Sequence, residues 1–501
     1  MNTAKGRLTG GRHDMERETK AATGTPLEAL AVQTFSRVTD ARRTEGNAVR
    51  LLCDGAENYP AWLAAIAEAR MNVHLESYFI EEGEVGDSFA DALIAAARRG
   101  VQVRVLYDWL GCKLRTSRRF WERLRDKGIE VRSYNPPGID SPLGWISRDH
   151  RKLLCIDGQR AFAGGLCIGH DWLGNQPRHI PPWRDTAVEI RGPAVVQLED
   201  SFADSWAAAG QPLPALSSLP EARPADEQAV AGTLAMWVIA GKPGSMGLYR
   251  LEQLVAEFAE KSLWLTDAYF VATTAYVRAL CRAARDGVDV RLLVPGASNL
   301  PAVQTLSRVG YRPLLAAGVR VFEWNGSMMH AKTAVADSCW SRIGSSNSNI
   351  SSWIANRELD LVIHDQDLAK QMEEMYERDL MNATEMILDT GGVHLSGLAN
   401  PGRDHRGTRT ASTGRLIAGT VGFASAVGAT ISQQRAIAPV EAHVLGVAGV
   451  ILFGLAVAGV LVPGLLAYPL ALLGGWVGLT LVIRARKLHL SYRAPKAQER
   501  R

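Results

Sequence analysis

His150-Arg-Lys152-Leu-Leu-Cys-Ile-Asp157 and His330-Ala-Lys332-Thr-Ala-Val-Ala-Asp337 carry one pattern, H-x-K-x-x-x-x-D, in two places. A single copy would be weak evidence, because three residue types over so short a stretch recur by chance. Two copies, each at the same place in a longer repeat, point to one active site assembled from two halves. The flanking sequence supports the duplication. Leu75-Glu-Ser-Tyr78-Phe79 is matched by Leu265-Thr-Asp-Ala-Tyr269-Phe270. Ala96 to Leu106 is matched by Ala283 to Leu293, and Lys127-Gly128-Ile-Glu-Val131 by Ala317-Gly318-Val-Arg-Val321. The period is far longer than that of a solenoid.

Each half reads strand, helix, strand, helix, strand, motif strand. Ala/Leu/Arg periodicity predicts helices over Ser88–Arg99 and Ala275–Arg285, ending at Gly100 and Gly287 as left-handed caps. Val101–Leu106 and Val288–Val294 are dense in β-branched residues, as buried parallel strands require. The expected class is α/β, with two pseudo-symmetric lobes sharing one site. The expected organisation is a polar N-terminal segment and helix (1–45), a first lobe (46–210), a linker (211–229) and a second lobe (230–390). A second linker (391–415), a membrane region (416–484) and a basic tail (485–501) follow.

The bulk composition allows this. The chain has 501 residues, 47% hydrophobic and 22% charged, with a net charge of +4 too mild to demand nucleic acid. Arg104, Arg118, Arg119, Arg123 and Arg125 read as a solvated helix face rather than a DNA groove. Cys53, Cys112, Cys155, Cys167, Cys281 and Cys339 lack metal-ligand spacing and read as reduced core thiols. His74 and His489 read as ordinary histidines of the packed structure.

Val444 to Ile483 holds no charged residue, and Pro463-Gly464 divides it into two 19-residue pieces, each long enough to span a bilayer. Arg403, Arg406, Arg409 and Arg415 precede it, while Arg484, Arg486 and Lys487 follow, so both ends read as cytoplasmic. Leu416–Ile431 is uncharged but short and rich in small residues. It is expected at the interface; a third span there would move the lobes across the membrane.

Alternate residues of a strand share a face, so His150 and Lys152 point together, as do His330 and Lys332. Asp157 and Asp337 fall on the opposite parity and are expected to brace the site from behind. These six residues form the candidate catalytic set. Two imidazoles and two lysines suit a phosphate oxyanion, with one imidazole attacking phosphorus and the other donating to the leaving oxygen. The residues by themselves fit either order. Neither a metal nor a cofactor is expected, and electrostatic stabilisation falls to the lysines. Downstream, Ser345 and Asn347 of Gly344-Ser345-Ser-Asn347 are candidate phosphate ligands, and Glu358 a carboxylate to orient an imidazole. The first half reads Gly164-Gly165-Leu-Cys167, with Asp185 as the acidic counterpart.

These motifs resemble the phospholipase D superfamily, whose signature is H-x-K-x4-D followed by G-[GS]-x-N, and within it the bacterial cardiolipin synthases. The resemblance runs from about Val49 to Asp365 and takes in Glu76-Ser-Tyr78, Trp183-Arg-Asp-Thr186, Gly192-Pro-Ala-Val195 and Asp204-Ser-Trp206. It implies a covalent phosphohistidine formed without metal, with His150 the nucleophile and His330 the acid and base. It also implies phospholipid substrates, phosphatidylglycerol among them, at a bacterial inner membrane with the lobes on the cytoplasmic side. Cys167 departs from the pattern, standing where the signature has Asn, and the hairpin is C-terminal. Pro142-Leu-Gly-Trp145-Ile146 and Met328-Met329, apolar runs before the two motifs, fit either lipid contact or core packing. A phospholipase D hydrolase, a nucleic-acid phosphodiesterase and an inactive membrane scaffold are the competing readings.

Overall fold

Short runs dense in Val, Leu and Ala, punctuated by Gly and Asp, build a mixed sheet that is buried on both faces. The first repeat supplies β1 (Arg43–Cys53), β2 (Asn72–Ser77), β3 (Gln102–Asp108), β4 (Glu130–Tyr134), β5 (Lys152–Ile156), β6 (Arg160–Gly164) and β7 (Thr186–Arg191). The second supplies β8 (Leu234–Gly241), β9 (Ser262–Thr266), β10 (Asp289–Pro295), β11 (Arg320–Trp324), β12 (Thr333–Ala336), β13 (Trp340–Gly344) and β14 (Glu358–His364). Then β15 (Ala383–Asp389) and β16 (Gly392–Leu395) extend the outer edge of the second lobe.

The computed structural model describes residues 34–137, 147–213, 230–389 and 392–395, with isolated positions 468, 471, 475 and 476. Apart from those four positions, the expected membrane region lies outside the described residues, as do Pro142–Ile146, His489, and residues 1–33 and 214–229. Among the described residues, no helix is long and apolar enough to cross a membrane.

The sheet order is β16-β15-β11-β10-β9-β12-β13-β14-β8-β1-β7-β6-β5-β2-β3-β4. Read outward from the central β8–β1 pair, the two halves have identical strand orders, so the sequence repeat is a repeat of topology. Within each half, β2-β3-β4 and β9-β10-β11 are parallel, joined by helical crossovers, while the motif strands β5 and β12 run antiparallel to β2 and β9. Two lobes of an α/β fold were expected, and two are present. The predicted helix at Ser88–Arg99 spans Glu84–Arg98, starting earlier because Glu84 and Asp87 suit its positive N-terminal end. The predicted helix at Ala275–Arg285 spans Thr274–Arg285, with Thr273 accepting from the Tyr276 N–H. Gly100 and Gly287 follow them at φ +89° and +98°, conformations that an L side chain resists.

The lobes meet as strands rather than as separate bodies. β1 and β8 pair antiparallel through Arg43↔Trp237, Thr44↔Met236 and Asn47↔Leu234, with an irregularity after Thr44. Asn47 is fully buried there, donating to Thr44 O (2.9 Å) and Leu234 O (3.2 Å) while accepting from the Ala194 N–H (2.8 Å). One apolar cluster crosses this seam. Leu198, Phe202 and Trp206 from helix Ala194–Ala208 share it with Leu368, Met372 and Tyr376 from helix Gln366–Leu380. Each lobe also has its own core on the other face, around Trp62, Phe89 and Leu93 in the first and Leu251, Leu280 and Leu314 in the second. Of the six cysteines, all but half-buried Cys53 are buried. His74 is an interior histidine, its Nδ1 2.5 Å from Glu199 and its ring stacked on Phe202. Arg104 corrects the expected basic helix face: it lies on β3 and is buried, paired with Glu130. Met328 and Met329 are core residues.

The two motif aspartates belong to this framework. Asp157 accepts from the N–H groups of Arg70 (2.9 Å), Met71 (2.7 Å) and Asn72 (2.9 Å). Asp337 does the same with Glu260 (2.9 Å), Lys261 (2.8 Å) and Ser262 (3.0 Å). Each carboxylate thus staples the start of β2 or β9 to the end of the motif strand, at a left-handed φ of 54° or 50°. Asp337→Ala is expected to cost about 2–3 kcal/mol, from three lost charge-assisted bonds and a strained Ala. Asp157→Ala is expected to cost less, because its more exposed turn lets water replace the carboxylate. Urea unfolding midpoints of the two variants test that order.

Candidate active site

β2, β3 and β4 run parallel and end at Ser77, Asp108 and Tyr134, and their carboxyl ends border the segment that enters β5. Ligand sites of α/β sheets favour that edge. His150 stands on this entering segment and His330 on its counterpart before β12. Each is fixed by the opposite lobe. His150 N donates to Arg357 O (2.9 Å) and Arg357 N to Arg148 O (2.8 Å). His330 N donates to Arg184 O (2.7 Å) and Arg184 N to Met328 O (2.9 Å). These two short parallel bridges cross the seam in opposite senses.

The crossing brings each carboxylate to the other lobe's imidazole. His150 Nδ1 lies 2.9 Å from Glu358 Oε2, and His330 Nδ1 lies 2.6 Å from Asp185 Oδ2. With Nδ1–H donated to a carboxylate, Nε2 keeps its lone pair for chemistry. Asp185 and Glu358 had been expected to orient imidazoles; that each serves the other repeat's histidine was not legible. A signal existed in the repeated Arg-acid pairs Arg184-Asp185 and Arg357-Glu358.

Further bonds hold the carboxylates. Asp185 accepts from Trp172 Nε1 (2.9 Å) and Thr186 N (2.8 Å). Glu358 accepts from Ser345 Oγ (2.6 Å) and Asn356 Nδ2 (3.2 Å). Ser345 is therefore corrected: expected at the phosphate, it spends its only proton on Glu358 and accepts from Leu359 N (2.9 Å). Asn347 keeps a buried side-chain carbonyl with no hydrogen-bond partner among the described residues. Cys167 is buried within the electrostatic reach of both Lys152 and Lys332.

Lys152 Nζ donates to His150 O (2.5 Å), and Lys332 Nζ donates to His330 O and lies 3.1 Å from His330 Nε2. The charge of Lys332 bears on His150 and that of Lys152 on His330, so the four groups form one cluster. Tyr78 meets the His150 ring edge-on at 5.1 Å, while Trp172 and Trp183 each stand 5.4 Å from His330. Tyr78 and Trp183 lie within quoted motifs whose reading gave them no role at the site, and Trp172 lies outside any motif. Burial pushes His150 down to about 4, with Glu358 opposing and Lys152 assisting. Burial and Lys332 push His330 down to about 3, with Asp185 opposing. Burial lowers Lys332 to about 8, despite Asp185. Burial favours the neutral forms of Asp185 and Glu358, but Lys332 acting on the first and His150 on the second outweigh it, and both stay ionised. Asp157 and Asp337, seven residues along from the histidines at roughly 20 Å of strand, leave the catalytic set as braces.

The family described as "Cardiolipin synthase, PLD-like domain" matches residues 62–173 and 255–380, one segment in each lobe. Cardiolipin synthase A of Pseudomonas syringae pv. syringae is 32% identical over 365 residues, covering 70% of this chain and 73% of that protein. Its namesake in Pseudomonas putida is 34% identical over 346 residues, covering 68% and 70%. The chain belongs to the cardiolipin synthase family. Like that family it is a phospholipase D-type phosphatidyltransferase of phospholipid biosynthesis. A solved phosphatidylserine synthase from Haemophilus influenzae shares the fold, with a TM-score of 0.53 at 14% identity over 67% of this chain and 87% of that one.

Glu358→Gln tests the crossed pairing. Loss of the carboxylate charge is expected to drive His150 below about 4, read from its imidazole nitrogen shifts. Turnover is expected to fall about 100-fold or more, the scale of an oriented acid–base group.

Proposed function

We propose that the chain makes cardiolipin by moving a phosphatidyl group from a phospholipid donor, through a phosphohistidine, to a free hydroxyl of phosphatidylglycerol. His150 Nε2 attacks phosphorus and the P–O bond to the leaving alcohol breaks. His330 Nε2 gives that oxygen a proton. The acceptor hydroxyl then returns a proton to His330 as its oxygen attacks phosphorus and the P–N bond breaks, freeing His150. Lys152 and Lys332 balance the charge on the non-bridging oxygens, and the Asn347 amide adds a hydrogen bond.

The observation that carries this reading is the crossed pair of carboxylates, which occupies the Nδ1 of each imidazole and turns each Nε2 to the lysine cluster, that of His330 lying 3.1 Å from Lys332 Nζ. One feature supports the assignment of roles. His150 keeps the more exposed side chain, at 12% against 7%. In the same proposal, lobes 46–210 and 230–390 form one catalytic unit, anchored by the hairpin in 416–484 on the cytoplasmic side of the inner membrane.

Purified protein incubated with phosphatidylglycerol is expected to yield cardiolipin and glycerol by mass spectrometry. Phosphatidic acid as the sole lipid product would make it a hydrolase instead. Quenched turnover with a labelled phosphatidyl donor should leave the label on His150, and a label on His330 would reverse the roles. Activity should also decline as pH rises through about 8, where Lys332 loses its proton and its charge at the phosphate.

A further inference from the structure

Behind His150 lies a second buried acidic group that the chemistry above does not use. Glu76, on β2, and Asp149, the residue before His150, are both fully buried and meet side chain to side chain. The one donor beside Glu76 is the Ser205 hydroxyl, which itself accepts from Arg151, and no donor in bonding geometry reaches the Oδ2 of Asp149. Arg151 donates its backbone N–H to Asp149 Oδ1 (3.5 Å), but its guanidinium bonds elsewhere: to Glu358 O (3.1 Å), Ser201 O (2.8 Å), Ser201 Oγ (3.0 Å), Ser205 Oγ (2.8 Å) and Gly241 O (2.9 Å). Arg357 also acts on Asp149 but is itself paired with Asp204, which leaves Arg151 as the cation for two carboxyls. Two adjacent buried carboxylates with so few donors would repel at low dielectric, and one proton between them relieves the repulsion and supplies a bond.

We propose that Glu76 and Asp149 share a single proton, and that this carboxyl pair is the positioning device that fixes His150 against the second lobe. Asp149 is well placed to transmit such control. Its N–H donates to Asp108 Oδ2 (2.9 Å), it bridges Arg357, and the next residue is His150 itself. The other groups around the pair are Arg151, Arg357 from the second lobe, Asp108 from the end of β3, and Cys155 from β5. Burial and the charge of Asp149 hold Glu76 well above the ordinary carboxylate range, consistent with a retained proton. The second repeat lacks the device. By strand register Glu76 corresponds to Thr266, since Glu76 faces Leu153 and Thr266 faces Thr333, and Asp149 corresponds to Met329. Only His150 rests on a titratable pair. The proposal rests on the reading of His150 as a reacting group.

Glu76→Gln keeps the volume and supplies a permanent N–H for Asp149, whereas Glu76→Leu removes the bond. The wild type should show an infrared carbonyl band from a buried carboxylic acid at neutral pH, absent in Glu76→Gln. The folded wild type holds a proton that the unfolded chain releases above about 4.5, so its stability contribution falls as pH rises. Glu76→Gln should therefore lose less stability than the wild type between about pH 5 and about pH 8. Turnover should fall about 10-fold or more in Glu76→Leu at nearly unchanged KM, and stay within about 3-fold in Glu76→Gln. Retention of the band in Glu76→Gln, or an unchanged pH slope, would overturn the shared proton. Equal turnover loss in both variants would overturn the positioning role. The infrared and stability measurements use no substrate, so they stand even if the transfer reaction proves different.

Discussion

The exchange of carboxylates across the β1–β8 seam is the constraint on which the rest depends. His150 takes its backbone partner from Arg357 and its carboxylate from Glu358, and His330 takes both from Arg184 and Asp185. Neither lobe on its own therefore holds a complete imidazole–carboxylate pair. This explains why duplicated lobes share a continuous sheet and a common apolar cluster instead of meeting through a wet interface. A slip of the seam would move each carboxylate away from its imidazole. Fully buried Asn47, which bonds three backbone groups at the joint, resists such a slip.

The two halves solve the same carboxylate problem differently. Gly165 and Ser345 occupy matching positions, following β6 and β13 and bonding through their N–H groups to Thr186 O and Leu359 O. A Cβ at Gly165 would come within 2.1 Å of Asp185 Oδ1, so the shorter acid packs directly against the bare backbone. Glu358 is one methylene longer and leaves room for a serine, whose hydroxyl then holds it. Gly with Asp and Ser with Glu are thus two internally consistent pairs. Exchanging one member alone would produce either a clash or an unsupported carboxylate. The motif G-[GS] records this choice, although it reads as two interchangeable small residues.

Much of the architecture was legible because it is written locally. Strand runs, helix caps and the two H-x-K-x4-D copies lie within short windows, and strand parity already separated the aspartates from the histidines and lysines. The partner exchange was not legible, because it depends on the pairing of residues more than a hundred positions apart. Ser345 was misread for a related reason. A hydroxyl beside a phosphate motif suggests a phosphate ligand, but its only proton goes to whichever acceptor the fold brings nearest. Arg104 was misread because a basic residue in a β-strand can be buried if a carboxylate such as Glu130 meets it. Trp172, which walls the His330 ring, carries no spacing signature at all.

A cluster of two buried lysines and two histidines would be strongly unfavourable if every group were charged. The site avoids this by holding both imidazoles neutral, at about 4 and about 3, while Asp185 and Glu358 remain ionised beside them. An arriving phosphodiester adds negative charge among the lysines and shifts the balance towards an imidazolium, so the proton needed by the leaving oxygen becomes favourable once substrate is bound. The empty site is then a poor acid and the occupied one a good acid. Both carboxylates are needed for this, since each opposes the burial that depresses its imidazole and keeps protonation within reach.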